Sequence, residues 1–299
     1  MEEKELVSII VCTYNRCDHL KRTLESLKQL RYSPVEIIVV DNNSTDETEK
    51  VASEFPVRYL KELRPGVAHA RNCGLQAATG TYVGFVDDDE TVIAEWVQGM
   101  LQGFALSPDV AAVTGPVYPV YEVPLPRYLR DDINVVPDED RYKKFGLIPL
   151  NETMGTGNSM FRRSALEGIH FRTELGRRQG SLLGGEDSDF IFQIYAKGYR
   201  AAYSPNAAVD HSIPKERLSY AYFIRRYFFE GITEYVRKGS TVFWRRLLKP
   251  IPGILSLLLA LLTLQPTKSV TRLLRLCQTL GILYGPLYMA KQQKLSERK

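Results

Sequence analysis

Cysteine is scarce in this 299-residue chain. Cys12, Cys17, Cys73 and Cys277 form no CxxC pair and no dense framework. That excludes a disulfide-stapled scaffold and fits a reducing compartment or simple apolar filling. The N-terminus lacks the basic start and long apolar stretch of a secretory signal. Instead the acidic MEEKELVSIIVCTYNR runs straight into a strand pattern, so the expected location is cytoplasmic. The turn after that first strand, CTYNRC, contains no glycine, which argues against a dinucleotide-binding domain of the GxGxxG type. No internal repeat or low-complexity tract is present. Excess base is also missing from most of the chain. Ten Lys or Arg and one acid lie between Ser240 and Lys299, leaving 29 bases against 34 acids in the preceding 239 residues. An enzyme of nucleic acids spreads base over its working face, so no nucleic-acid partner is expected.

What is present is an ordinary globular balance, 44% hydrophobic and 25% charged, enough for one large core or a core with an appendage. Val7 to Val11 (VSIIV) is a continuous branched apolar run, as in a buried parallel strand. Asp18 is then placed as the cap of a helix with Leu20, Leu24, Leu27 and Leu30 on one face. Val35 to Val40 reads as a second strand, and Ser44 with Glu47 has capping-box spacing for a short helix. Val57 to Leu60 predicts a third strand, Pro65 to about Thr79 a helix, and Thr81 to Val86 a fourth strand. A helix around Ile93 to Leu106 and a strand around Val110 to Thr114 follow. Pro116 to Thr153, with six prolines, reads as an irregular excursion, a helix starts near Glu186, and Arg217 to Lys238 is a long amphipathic candidate.

This alternation predicts an α/β fold: a doubly wound, mostly parallel sheet with helices on both faces. Ligands of such sheets bind beyond the carboxyl ends of the strands. Thr13-Tyr14-Asn15-Arg16, Asp41-Asn42-Asn43 and Asp87-Asp88-Asp89 each follow a strand, so one local rule sends all three clusters to the same rim.

Three adjacent acids repel one another unless a cation or strong donors neutralise them. Mg²⁺ and Mn²⁺ prefer oxygen ligands and are often completed by substrate phosphates. The plainer alternative for Asp87 to Asp89 is a solvated acidic turn. Gly184-Gly185-Glu186-Asp187-Ser188-Asp189 reads either as an acid-capped helix start or as a general base at the mouth of the sheet. His211, after Asp210, is either structural or a further metal ligand. Arg71 is either a surface residue of its helix or a diphosphate or base contact. Gly155-Thr156-Gly157 is a weak echo of a phosphate loop.

Taken together, VSIIVCTYNRCDHLKRTLESL, EIIVVDNNSTDET, GVAHARNCGLQAATGTYVGFVDDDE, GTGNSMFRRSAL and GGEDSDF resemble the motif series of family-2 glycosyltransferases, over about Leu6 to Ile213. The resemblance implies the A-type glycosyltransferase fold and inverting transfer from a nucleotide-sugar donor, UDP-linked by preference, to a glycan or lipid-linked acceptor. It implies nucleotide-binding roles for Thr13, Tyr14, Arg16, Asp41, Arg71, Asp87 and Asp88. Asp89 and His211 match metal ligands for Mn²⁺ or Mg²⁺, and Asp187 matches the catalytic base. Glu186 and Gly185 match positions that shape the acceptor pocket. The readings set against this are a nucleotidyltransferase-like sugar-nucleotide enzyme and a non-catalytic sugar- or lipid-binding accessory.

The expected organisation is a catalytic domain over residues 1–239, split into a nucleotide-binding half (6–115) and an acceptor half (116–239), then a basic, Leu-rich helical tail (240–299). Ile251 to Thr267 and Leu276 to Ala290 are uncharged but short for a span, and bases flank both. The expectation is a tail lying on an anionic membrane surface, attached peripherally or monotopically to the inner face.

Overall fold

A computed structural model describes residues 4–126, 144–178, 180–247 and 266–296. Its main sheet has eight strands. In chain order they are β1 (Val7–Thr13), β2 (Val35–Asp41), β3 (Arg58–Lys61), β4 (Tyr82–Val86), β6 (Val110–Thr114), β8 (Gly146–Leu147), β9 (Asn158–Arg162) and β10 (Arg200–Tyr203). Their order across the sheet is β3-β2-β1-β4-β9-β6-β10-β8. Six strands run one way, and β8 and β9 run against them. A small second sheet pairs β5 (Glu90–Val92), β11 (Val209–Ile213) and β7 (Val117–Tyr121) in the order β5-β11-β7.

Both faces of the main sheet are covered, which is why its strands read as unbroken apolar runs. Val7, Ile9 and Val11 enter one core with Leu20, Leu24 and Leu27 of α1 (Cys17–Leu27) and Trp96, Val97, Met100 and Phe104 of α4 (Trp96–Phe104). Ile10 faces the other core, with Ala68 and Ala70 of α3 (Val67–Ala77) and Phe190, Ile191 and Ile194 of α5 (Glu186–Ala196). Each fully buried aliphatic side chain contributes about 1.5–3 kcal/mol. The Phe171 and Phe190 rings stack at 4.0 Å within the second core.

The reversed strand β9 was not foreseen as a strand. Asn158 at its start is buried, and its polar atoms are fully used. The Trp96 indole donates to Oδ1 at 2.7 Å, and Nδ2 donates to the Pro116 and Ala207 carbonyls at 3.0 Å each. Gly84 leaves room for the Trp96 ring, which lies 2.9 Å from where a Cβ would stand.

Two helix starts differ from the expected ones. Helix α1 begins at Cys17, whose amide donates to Asp46 across the neighbouring loop, so Asp18 sits inside the first turn. The next helix, α2 (Thr48–Ser53), begins at Thr48, whose amide donates to Asp46. Ser44 is no cap there, because its hydroxyl accepts from the Asn15 amide at 2.8 Å. The excursion from Pro116 to Thr153 contains β7 and β8, and residues 127–143 of it lie outside the described residues.

The described chain divides into two compact units. One comprises residues 4–120, 144–173 and 186–212, and the other contains Glu174–Gly185 and the chain from Ile213 onward. Helices α6 (Tyr220–Lys238), α7 (Ser240–Leu247) and α8 (Pro266–Ser296) thus group together, whereas the expected boundary fell after residue 239. Small residues bring α6 and α8 close. A Cβ on Gly231 would strike the Gln278 carbonyl oxygen, and one on Gly281 would strike that of Phe228. Phe228–Tyr284 and Phe229–Tyr288 ring contacts flank this crossing. Among the described residues no helix is long and apolar enough to cross a membrane. Residues 251–265, most of the first uncharged tail stretch, lie outside the described residues.

Candidate active site

The carboxyl ends of β1, β2 and β4 meet at one rim, as the local rule requires. The β1 and β2 loops are joined by Asn15, whose positive φ of 51° an Asn tolerates. Its side-chain oxygen accepts from the Thr45 amide at 2.7 Å. Asp41 is buried, with Oδ1 accepting from the Ser44 amide at 2.8 Å and Oδ2 from the Tyr59 hydroxyl at 2.6 Å. Burial, and then this bond to Asp41, hold the Tyr59 hydroxyl well above its usual titration range. Tyr14 stands exposed on the same loop.

Two arginines organise the acids of the rim. Arg16 donates through Nη1 to Asp88 and Asp89, at 2.9 Å each, and Thr13 donates to Asp88 at 2.8 Å. Thr23 of α1 donates to the carbonyls of Asp88 and Glu90 and so fixes the turn. Burial raises Asp88 to about 6, with Arg16 and Thr13 opposing the shift and the Asp89 charge adding to it. Glu90 is driven well above the carboxylate range by burial and by the charges of Asp87 and Asp89.

Strand β11 pairs antiparallel with β5, aligning His211 with Glu90. His211 Nε2 then lies 3.6 Å from Asp89 Oδ2. The two residues proposed from sequence as metal ligands are therefore brought together. Among the described residues, no group of three or more His, Cys, Asp or Glu is arranged around one metal position. One carboxylate and one imidazole fit a cation whose other ligands come from a diphosphate and water.

The second cluster centres on Arg71, which is buried on α3 with its guanidinium 5.4 Å from the Phe171 ring centroid. Nη1 donates to Asp187 at 2.6 Å and to Glu186 at 3.2 Å, and Nη2 donates to Asp87 at 3.3 Å. Burial works against its charge, but Asp187, Asp87 and Glu186 outweigh that and hold the guanidinium firmly charged. Arg71 is thus not a surface residue: it bridges the end of β4 to the start of α5. Asn72 beside it exchanges two hydrogen bonds with the Phe171 backbone, both 2.8 Å.

Asp187 is about one third exposed. Its Oδ1 accepts from Arg71 and also, in a short contact, from the Thr156 hydroxyl. Among the described residues Oδ2 accepts no hydrogen bond. Glu186, expected at the acceptor pocket, is buried with Oε1 on Arg71. Asp189 turns away to Arg172 at 3.4 Å and Gln193 at 2.9 Å. Gly185, the other acceptor-side expectation, adopts φ +91° in the second unit, where a Cβ would meet Thr233 Cγ2 at 2.7 Å.

Thr156 is the site residue that sequence reasoning missed. Gly155-Thr156-Gly157 was weighed only as a weak phosphate loop. In the fold, antiparallel β9 begins where parallel β4 ends, so the loop before β9 arrives at the rim. Gly157 makes room for Asp87, whose Oδ2 lies 2.6 Å from where a Cβ would stand.

The Glycosyl transferase family 2 profile matches residues 8–169. The succinoglycan biosynthesis protein ExoM of Rhizobium meliloti is 32% identical over 240 residues, covering 76% of this chain and 73% of that protein. The glucosyl-dolichyl phosphate glucuronosyltransferase of Haloferax volcanii is 26% identical, covering 77% of this chain and 76% of that protein. Among solved structures, the mannosyltransferase PcManGT of Pyrobaculum calidifontis, in complex with GDP-Man and Mn²⁺, superimposes with a TM-score of 0.63 at 20% identity. That match covers 95% of this chain and 88% of PcManGT.

Proposed function

The chain belongs to glycosyl transferase family 2, and on that premise we propose that it inverts a sugar from a nucleoside-diphosphate donor onto a hydroxyl of a lipid-carried glycan. The observation that carries the chemistry is Asp187. Arg71 and Thr156 fix Oδ1, while Oδ2 is left to accept a proton. A carboxylate held in one orientation can take the hydroxyl proton as the oxygen attacks, and a single displacement inverts the anomeric carbon. Glu186 is buried and Asp189 is committed to Arg172 and Gln193, so the partly exposed Asp187 is assigned the base.

The donor is placed at the rim, with Thr13, Tyr14, Arg16, Asp41, Asp87 and Asp88 around it. Uridine diphosphate is expected ahead of GDP or TDP from the habits of the family. Asp89 and His211 would hold Mn²⁺ or Mg²⁺, which supplies positive charge for the departing diphosphate. Arg16 already donates to Asp88 and Asp89, and is the cation best placed to turn toward a phosphate.

The acceptor reading draws on relatives that act in succinoglycan biosynthesis and on a glucosyl-dolichyl phosphate. Residues 240–299 are proposed to attach the chain to the inner membrane face. On α8, the exposed Leu273, Leu280, Tyr284 and Leu287 recur at steps of seven, four and three, which places them on one stripe. Arg272, Arg275 and Lys291 supply base on the same helix.

The test is calorimetry with a nucleotide panel, followed by transfer assays. Asp187→Asn is expected to lower transfer about 10²–10⁴-fold while leaving metal-dependent nucleotide binding nearly intact. Asp89→Ala is expected to abolish transfer. Full activity in excess chelator overturns the metal reading. Loss of nucleotide affinity in step with activity in Asp187→Asn, or a retained anomeric configuration, overturns the base assignment.

A further inference from the structure

The second unit carries an open cavity of about 500 Å³ that none of the rim residues lines. One wall is α6. Tyr222, Arg226, Glu230, Thr233 and Arg237 follow at steps of four, four, three and four residues, and so form one helical face. The opposite wall is the segment ending in Gly184 and Gly185, with Arg177 and Leu182. The Gly184 amide donates to the Thr233 hydroxyl at 3.1 Å, which pins this segment to α6. Nothing lies within 4 Å of where a Gly184 Cβ would stand, so backbone borders the space there.

The charge of the lining is uneven. Arg177, Arg226, Arg237 and Lys238 face Glu230 and Glu234, a net charge of +2. Both acids are engaged along the helix, Glu230 with Arg226 and Glu234 with Lys238, at 3.2 Å each. Arg177 and Arg237 come from different walls and are both exposed. Guanidinium groups on two walls of one cavity suit the oxygens of a phosphate ester, which they bind with directional hydrogen bonds. The same unit exposes apolar side chains: Tyr220, Ile224, Trp244 and Leu247 on α6 and α7, and the Leu-Tyr stripe of α8. A ligand with an anionic head and an apolar chain fits both features.

We propose that this cavity binds the phosphate or diphosphate head of a prenyl-linked acceptor, with Arg177 and Arg237 as its principal contacts. The proposal rests on the lipid-carried acceptor read above, and it names the place where the carrier is recognised. It assigns no role in chemistry to the cavity. Its work is to select acceptors by their carrier group and to add affinity for them.

The experiment is calorimetric titration of the full chain in chelator with geranyl diphosphate, geranyl phosphate, geraniol and inorganic pyrophosphate. Chelator keeps the phosphates from entering the rim through a metal. Saturable binding of geranyl diphosphate or geranyl phosphate is expected, with geraniol silent. Arg177→Ala and Arg237→Ala should each weaken it about tenfold or more, the scale of one charged hydrogen bond. Arg245→Ala, on α7 outside the lining, should leave it unchanged. UDP binding with Mn²⁺ should be equal in all variants, which also shows that they fold. Absence of saturable prenyl-phosphate binding, or unchanged affinity in Arg177→Ala/Arg237→Ala, overturns the proposal. Inorganic pyrophosphate binding as tightly as geranyl diphosphate overturns the lipid assignment in favour of free phosphate. Failure of UDP to bind the wild-type chain would count against the donor reading alone.

Discussion

Two arginines sit among acids at one rim, and they are not equivalent. The Arg71 side chain is 5% exposed and spans three carboxylates from two distant segments. Arg16 is 35% exposed and reaches two neighbouring acids of a single turn. Burial makes Arg71 a strut: its charge is required wherever Glu186 and Asp187 are ionised, and water cannot replace it. Partial exposure leaves Arg16 freer, since a cation could take over Asp88 and Asp89 and let Arg16 turn to a phosphate. The same residue type, in the same layer of the fold, thus holds architecture in one case and guards an opening in the other.

Arg71→Ala should break this contrast most severely. Removing one partner of a buried ion cluster typically costs about 3–5 kcal/mol. The loss should appear as a lower urea midpoint of unfolding, and wild-type stability in this variant would mean the strut is no strut.

Asp88 offers a subtler test on the Arg16 side of the rim. Its carboxyl titrates near 6 in the fold, against about 4 in an unfolded chain. Between those values the folded chain keeps the proton that the unfolded chain releases. Stability should therefore fall as pH rises through this window, by about 1–3 kcal/mol. Asp88→Asn should flatten that part of the wild-type profile, measured by urea unfolding at intervals from pH 4 to 7. A slope that the substitution leaves unaltered would show that Asp88 carries no such burden.

The smallest expected effect belongs to His211. His211→Ala should weaken Mn²⁺ binding by at least the roughly tenfold that outer-shell partners alone carry, with little change in stability in chelator. Unchanged Mn²⁺ affinity, measured by titration with UDP present, would remove His211 from the metal site.

Much of the fold was legible because buried parallel strands advertise themselves. VSIIV, VEIIVV, TYVGFV and VAAVT all became strands of the main sheet. Strand β9 was hidden because Asn158 and Ser159 are polar and buried, Asn158 finding its partners in distant carbonyls and an indole. The start of α1 was misplaced for a related reason. Local capping rules look three residues ahead, whereas the Cys17 amide is capped by Asp46 from another loop. At the site, the acids at strand ends were visible because strand ends converge. Thr156 was not, since its role depends on an antiparallel pairing that no local pattern encodes.

That pairing has a consequence for how such an enzyme can change. Strand β9 is held by ladders on both sides, Gly84 opposite Met160 and Val113 opposite the same residue. Its register is locked independently of whatever chain precedes it. Chain between β7 and β8 can then change in length over generations while Thr156 is still delivered to Asp187. A lineage with this topology can vary the chain upstream without disturbing the contact between Thr156 and Asp187.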